Sequence, residues 1–271
     1  MYHLTTEKDL PVGWLTYEYI HKGYRVNYSI KAALCSIFYI HNEFWMIWTD
    51  ITPLIGYILM TYYWSLSDAY SSMSTFHKVM GYGGYLAAIM TRLCSSIYHI
   101  FNPVSLYTNQ TLINVDYIGI IFMTCGFSWL YIHAYDINNY KDPKYIHFLS
   151  WLIPYFMVCN FVFIWLLLTN NKKYKWVQMP IILSSAGIGT WISCLIIFDK
   201  NTNDDWRYCC TIGISCFVFG YIVFYVLHFP ECILKDTVHT IMYSHIWWHN
   251  IVTLGQVVFL QTTFLPFKKS T

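Results

Sequence analysis

Apolar residues run along this chain in long blocks broken by short polar stretches. A helix needs about 20 mostly apolar residues to cross the hydrocarbon of a bilayer. Seven blocks meet that length, near residues 46–66, 77–101, 112–134, 146–169, 175–198, 207–229 and 241–265. The pieces between them are Ser67–Phe76, Asn102–Thr111, Tyr135–Tyr145, Asn170–Tyr174, Asp199–Trp206 and Pro230–Thr240. They hold most of the punctuation, and each is short, so neighbouring helices run antiparallel. The pattern predicts an all-α membrane protein, a seven-transmembrane-helix bundle over 46–266, with no room for a second folded domain. Residues 1–45 mix charge with aromatics and are not apolar enough to span. Within them Ile30, Ala33, Leu34, Ile37 and Phe38 recur at helical spacing, which predicts a helix over Ser29–Tyr39. That helix either lies in the membrane interface or packs under the bundle. Residues 267–271 are left as a short tail.

Composition agrees. Apolar residues make up 56% and charged residues 11%, with a mean hydropathy of +0.40. Soluble domains carry about 25% charge, so this chain could not cover a water-facing globule; a soluble enzyme, a coiled coil and a disordered chain are excluded. The 12 Trp and 25 Tyr suit membrane–water interfaces. A net charge of +2 offers nothing to nucleic acid. The first residues carry Glu7, Lys8, Asp9 and Glu18 with no apolar core, so they do not read as a signal peptide. Nine Cys, an odd number without CxxC spacing, predict neither a disulfide framework nor a thiolate zinc site.

Orientation is weakly encoded. With the N-terminus cytoplasmic, eight basic residues fall inside and seven outside. The Lys172–Lys175 cluster, opposed to Asp199, Asp204 and Asp205, favours that orientation. The sequons at Asn27 and Asn109 would then face the cytosol.

Ionisable groups inside membrane helices are costly and usually functional. Four stand out: His99 at the end of the second span, Asp116 at the start of the third, and His245 and His249 at the start of the seventh. Parity puts all four at one side of the membrane. His245 and His249, four apart, stack on one helix face. These two imidazoles and His99 could hold one metal ion. Three neutral nitrogens would leave a fourth tetrahedral position for water, the pattern of a catalytic zinc site. Asp116 would orient that water or take its proton. Ser95, one turn before His99, could support the site by hydrogen bonding. Spacing alone leaves other readings open: packed interhelical His residues, a bis-His haem, or an Asp–His proton relay.

Ordered motifs narrow these. Gly23-Tyr24-Arg25 precedes Cys35-Ser36-Ile37-Phe38-Tyr39-Ile40-His41-Asn42-Glu43-Phe44-Trp45-Met46-Ile47-Trp48-Thr49-Asp50. Ser95-x-x-x-His99, Asp116-Tyr117-Ile118-Gly119-Ile120, Pro230-Glu231 and Ser244-His245-x-x-x-His249 follow in order. This set resembles the progestin and adipoQ receptor family, related to the alkaline ceramidases. Its patterns run GYR, SLFxxHNExxNIWTH, SxxxH, DYxGI and PER…SHxxxH. The chain departs from them at Met46, at Asp50 where the pattern has His, at Lys235–His239 and at Ile246. Ile51-Thr52-Pro53 leans toward the family's steroid-receptor branch.

The resemblance implies seven helices with a cytoplasmic N-terminus and an extracytoplasmic C-terminus. It implies Zn2+ on His99, His245 and His249, with Asp116 beside the metal's water. Tyr117 and Ser244, within the matching motifs, are expected to support the site. Two functions follow from it. One is a zinc-dependent membrane amidase acting on a ceramide-like lipid and releasing free fatty acid. The other is a non-enzymatic receptor or scaffold with a structural zinc, binding a steroid, lipid or peptide. The expected location is the plasma membrane, with Golgi or ER as alternatives.

Overall fold

The computed structural model describes residues 4–139, 204–234 and 241–265, with single positions or pairs at 158, 161–162, 164–165, 187, 190–191, 193–194 and 197–198. The protein is predominantly α-helical. The long helices are α2 (Phe44–Ser65), α4 (Thr75–Phe101), α5 (Leu106–Asn139), α6 (Asp204–Gly220) and α7 (Ser244–Gln261). A π-helical stretch, Tyr221–Val226, extends α6, and a 3-10 turn, Thr262–Phe264, extends α7. Five predicted spans fall on these helices; those at 146–169 and 175–198 lie outside the described residues except for the scattered positions just given. By length and composition, one helix among the described residues, Asp204–Val226, is apolar enough to cross a membrane. The others dilute their aliphatic residues with Tyr, Trp and buried polar groups: α2 carries Trp45, Trp48, Asp50, Tyr57, Tyr62, Tyr63 and Trp64.

Several boundaries differ from the sequence pattern. The Ser67–Phe76 connection contains a short helix, α3 (Asp68–Ser72), started by the Ser67 hydroxyl accepting from the Tyr70 N–H at 3.1 Å. Asp204 and Asp205, expected in a loop, form the first turn of α6, where carboxylates meet the positive end of the helix dipole. Helix α5 starts at Leu106, so Asp116 sits well inside it rather than at its start.

The N-terminal region also holds a hairpin that hydropathy did not predict. Strand β1 (Leu4–Thr6) pairs antiparallel with β2 (Lys22–Arg25), with an irregularity between Thr5 and Thr6. Gly23 takes φ +87° in β2, a conformation glycine adopts without steric cost. Its carbonyl accepts from Asn42 N–H at 2.9 Å, tying the hairpin to the entry of α2. The predicted Ser29–Tyr39 helix is α1 (Ile30–Cys35) plus a 3-10 turn, Ser36–Phe38. Ser29 caps it by accepting from Ala32 N–H at 3.1 Å. Ala33 and Ser36 are buried, whereas Ile30, Leu34 and Phe38 are exposed.

The chain divides into two compact units. Unit 1 comprises 1–56, 92–119 and 215–255. Its core packs Ile20, Tyr24, Met46, Tyr243 and Ile246 together, with Leu10 and Tyr17 against them. Unit 2 comprises 57–91, 120–214 and 256–271. There the buried Trp64 meets the rings of Tyr70, Tyr82 and Tyr85 and donates Nε1–H to the Thr263 carbonyl at 3.0 Å. Tyr57 donates to Gln256 Oε1 at 2.7 Å. Glycines admit the close approaches: a Cβ on Gly81 would lie 2.3 Å from Trp64, and one on Gly126 would lie 2.0 Å from Ala87 Cβ. Small residues at helix contacts are how membrane helices pack without help from water.

Candidate metal centre

Within unit 1, His245 and His249 stand one turn apart at the start of α7, and His99 lies near the end of α4. One ring nitrogen of each lies within 4.8 Å of the other two. Ring centroids are 5.0 Å apart for His245 and His249, 5.4 Å for His99 and His249, and 5.9 Å for His99 and His245. His99 and His249 are buried and His245 is half-buried.

Two of the rings are held by carboxylates. His99 Nδ1 lies 2.6 Å from Glu43 Oε2. His249 Nδ1 lies 3.0 Å from Asp50 Oδ1. A carboxylate at Nδ1 fixes the proton there and leaves the lone pair on Nε2. Nε2 of His99 is buried and has no hydrogen-bond partner. Leaving a buried imidazole nitrogen unpaired is costly, and a bound cation would remove that cost. Three imidazoles within reach of one point, a bare buried nitrogen among them, fit a first-row metal ion. His99, His245 and His249 could therefore hold a metal.

The remaining expected residues take varied places. Asp116, on α5, is near enough to His99 and His249 for its charge to act on both. It is not part of the three-residue group. Ser95 faces Asp116, close enough for its hydroxyl to act on the carboxylate. Tyr117 lies near Asp116 and Tyr225. Ser244 bonds the side chain of Glu231. Its N–H donates to Glu231 Oε2 at 2.6 Å and its hydroxyl to Glu231 Oε1. This buried carboxylate caps α7 one residue before His245.

Sequence reasoning passed over the carboxylates and their partners. Glu43 also accepts from Asn102 Nδ2 at 3.2 Å and from Tyr17 Oη at 3.2 Å. Tyr17 in turn packs its ring 5.1 Å from that of His245, so the N-terminal segment covers the site. His41 accepts the Glu43 backbone N–H at Nδ1 (3.0 Å) and donates Nε2–H to the Ser36 carbonyl at 3.1 Å. Burial, aided by the Arg25 charge, pushes His41 down to about 2, so the ring is neutral. Arg25 donates to the His99 carbonyl at 2.6 Å and to Ser36 Oγ at 2.5 Å. Burial pulls its guanidinium down to about 10, against the opposing pull of Glu43, and it stays charged at the carbonyl end of α4. Parity could have found Glu43 and Asp50: both lie at the start of the first span, on the same side as His99.

The profile of the Haemolysin-III related family matches residues 38–260, a range that includes Glu43, Asp50 and all three histidines. The chain belongs to this family. It is thus a membrane protein of the group whose progestin and adipoQ receptor motifs the sequence carries. An uncharacterised protein of Schizosaccharomyces pombe is 27% identical over 258 residues, covering 93% of this chain and 57% of its own length. The Adiponectin receptor protein of Drosophila melanogaster is 27% identical over 143 residues, 52% of this chain and 31% of its own. Heptahelical transmembrane protein 1 of Arabidopsis thaliana is 28% identical over 124 residues, 42% and 36% respectively. The chain thus spans from about a third to just over half of the length of these Haemolysin-III related relatives.

Proposed function

We propose that this chain is a seven-helix membrane protein, N-terminus cytoplasmic, that holds zinc on His99, His245 and His249 and hydrolyses the amide of a ceramide-like membrane lipid. The observation that carries this reading is the set of three buried or half-buried imidazoles, with Asp116 beside them but outside the set. Structural zinc sites usually have four protein ligands, whereas three leave a position open. Zinc there would polarise the amide carbonyl and lower the pKa of a water toward about 7. Asp116 would accept that water's proton on its carboxylate and return it to the leaving amine nitrogen. Glu43 and Asp50 hold the His99 and His249 rings in place. Tyr17 and the N-terminal core shield the site from bulk water. The products are a free fatty acid and an amine, and the plasma membrane is the proposed location.

One observation favours a receptor without turnover: the Drosophila relative is named for receiving adiponectin. The same experiment decides. Purified wild type, Asp116→Asn and His245→Ala/His249→Ala are compared for zinc content and for fatty acid release from ceramide. The amidase reading expects zinc in the first two and none in the double variant. It expects product from wild type, and about 10²–10⁴-fold less from Asp116→Asn. Zinc retained by the double variant overturns the ligand set. A wild type that binds zinc and releases no fatty acid leaves the receptor reading.

A further inference from the structure

We infer that Asp50 and Arg92 form a positioning pair for His249, which presents its Nε2 to the metal; this rests on the zinc reading above. Asp50 comes from α2, Arg92 from α4 and His249 from α7, so one carboxylate ties three helices at the centre. Asp50 Oδ1 lies 3.0 Å from His249 Nδ1 and 3.1 Å from Arg92 Nη1. Arg92 also reaches the His249 backbone, with Nη2 3.5 Å from its carbonyl oxygen. Ring and backbone of the same residue are therefore held by one ion pair. Asp50 is 0% and Arg92 2% exposed. Burying two charges this deeply is expensive, and replacing such a pair by apolar residues is often neutral or stabilising. A pair kept only for stability could be dispensed with; this one is joined to a metal-binding ring.

The chemistry gives the pair a task. A neutral imidazole has two tautomers, and only the one protonated at Nδ1 offers Nε2 as a ligand. The Asp50 carboxylate selects that tautomer, raises the basicity of Nε2 and stops the ring from turning. Thr49 favours the same tautomer: its hydroxyl donates to the Met46 carbonyl at 2.9 Å, so at 3.4 Å from Nδ1 it can only accept, and more weakly than the carboxylate. Arg92 holds the same Asp50 oxygen that meets the ring. It lies seven residues, two turns, before His99 on the same face of α4, so the pair also couples the His99 and His249 helices. Asp50 is one of the positions where the chain departs from the motif pattern, so this device belongs to the chain's own residues.

Two variants test this in the full-length protein in detergent. Asp50→Leu/Arg92→Met and Asp50→Asn/Arg92→Met are both neutral and near in size, and they differ only in whether position 50 can accept the His249 Nδ1–H. Zinc affinity is read by chelator competition and ring geometry by the visible spectrum of the Co2+ form; the melting temperature checks the fold. The Leu variant should bind zinc about 10–100-fold more weakly and shift the Co2+ bands, while the Asn variant recovers most of the affinity. Wild-type affinity in both variants, or an equal loss in both, overturns the proposal. A wild type without metal overturns the zinc reading and this proposal with it.

Discussion

Glu43 and His99, 56 residues apart in sequence, meet at 2.6 Å. Glu43 immediately precedes α2 and His99 lies near the end of α4, so the antiparallel course of the two helices brings both to one level. The same carboxylate takes Asn102 on its other oxygen and Tyr17 beside His99. It connects the N-terminal segment, α2 and α4 at a single point, and it decides which nitrogen of His99 faces the other histidines.

Glu43→Gln should lower zinc affinity by about 10–100-fold, because the amide can still bond His99 but adds no charge. Glu43→Ala should also destabilise, since it strands Asn102, Tyr17 and His99 Nδ1, at about 1–3 kcal/mol for each buried group left unpaired. Zinc content and thermal unfolding of the two variants separate the effects. Equal zinc in Glu43→Gln and wild type would show that the carboxylate charge plays no part.

Stability should fall as the solution is acidified below about 6.5, and His41 should account for part of the fall. Its folded value, about 2, lies below its ordinary 6.5. Above 6.5 the ring is neutral folded or unfolded, and stability is full. Between 6.5 and 2 the unfolded chain takes up a proton that the folded chain refuses, so the contribution is lost as pH drops. The slope approaches about 1.4 kcal/mol per pH unit. Chemical unfolding of wild type and His41→Asn at pH 7 and pH 5 measures it. The variant should show the smaller pH difference.

Two glycines should answer differently to alanine. In Gly126→Ala the new methyl would sit 2.0 Å from Ala87 Cβ, so α4 and α5 must separate, at about 1–3 kcal/mol. Gly56 has nothing within 4 Å of its Cβ position, and Gly56→Ala should be neutral or stabilise α2 by up to about 1 kcal/mol. Melting temperatures in detergent give the comparison; a Gly126→Ala protein as stable as wild type would contradict the close contact.

The proposed seven spans would put the two ends of the chain on opposite sides of the membrane. Epitope tags at each end, probed before and after selective permeabilisation, should show the N-terminal tag only after permeabilisation and the C-terminal tag before it. Tags on the same side would rule out an odd number of spans.

Hydropathy and motif order were sufficient for the helical class, the membrane environment and the family. The physical reason is strict: a backbone in hydrocarbon must satisfy its own hydrogen bonds, so long apolar blocks become helices. That His245 and His249 share a face follows from their spacing of four, and that His99 can meet them follows from parity. The hairpin was not legible, because strands of three and four residues carry no period and a positive-φ glycine interrupts one of them. Nor was the depth of Asp116, since α5 begins ten residues before it. The partners of the rings were decided by the tertiary structure alone. Arg92 finds Asp50 across 42 residues and the His249 carbonyl across 157, and no local pattern encodes such distances. Ser244 turned from its neighbouring His to Glu231 because the first turn of a helix has unpaired N–H groups to satisfy. Residue types along the chain limited which groups could bind a metal; packing chose the carboxylates that hold the His99 and His249 rings, because a buried charge takes whatever opposite or hydrogen-bonding partner the fold brings within about 3 Å.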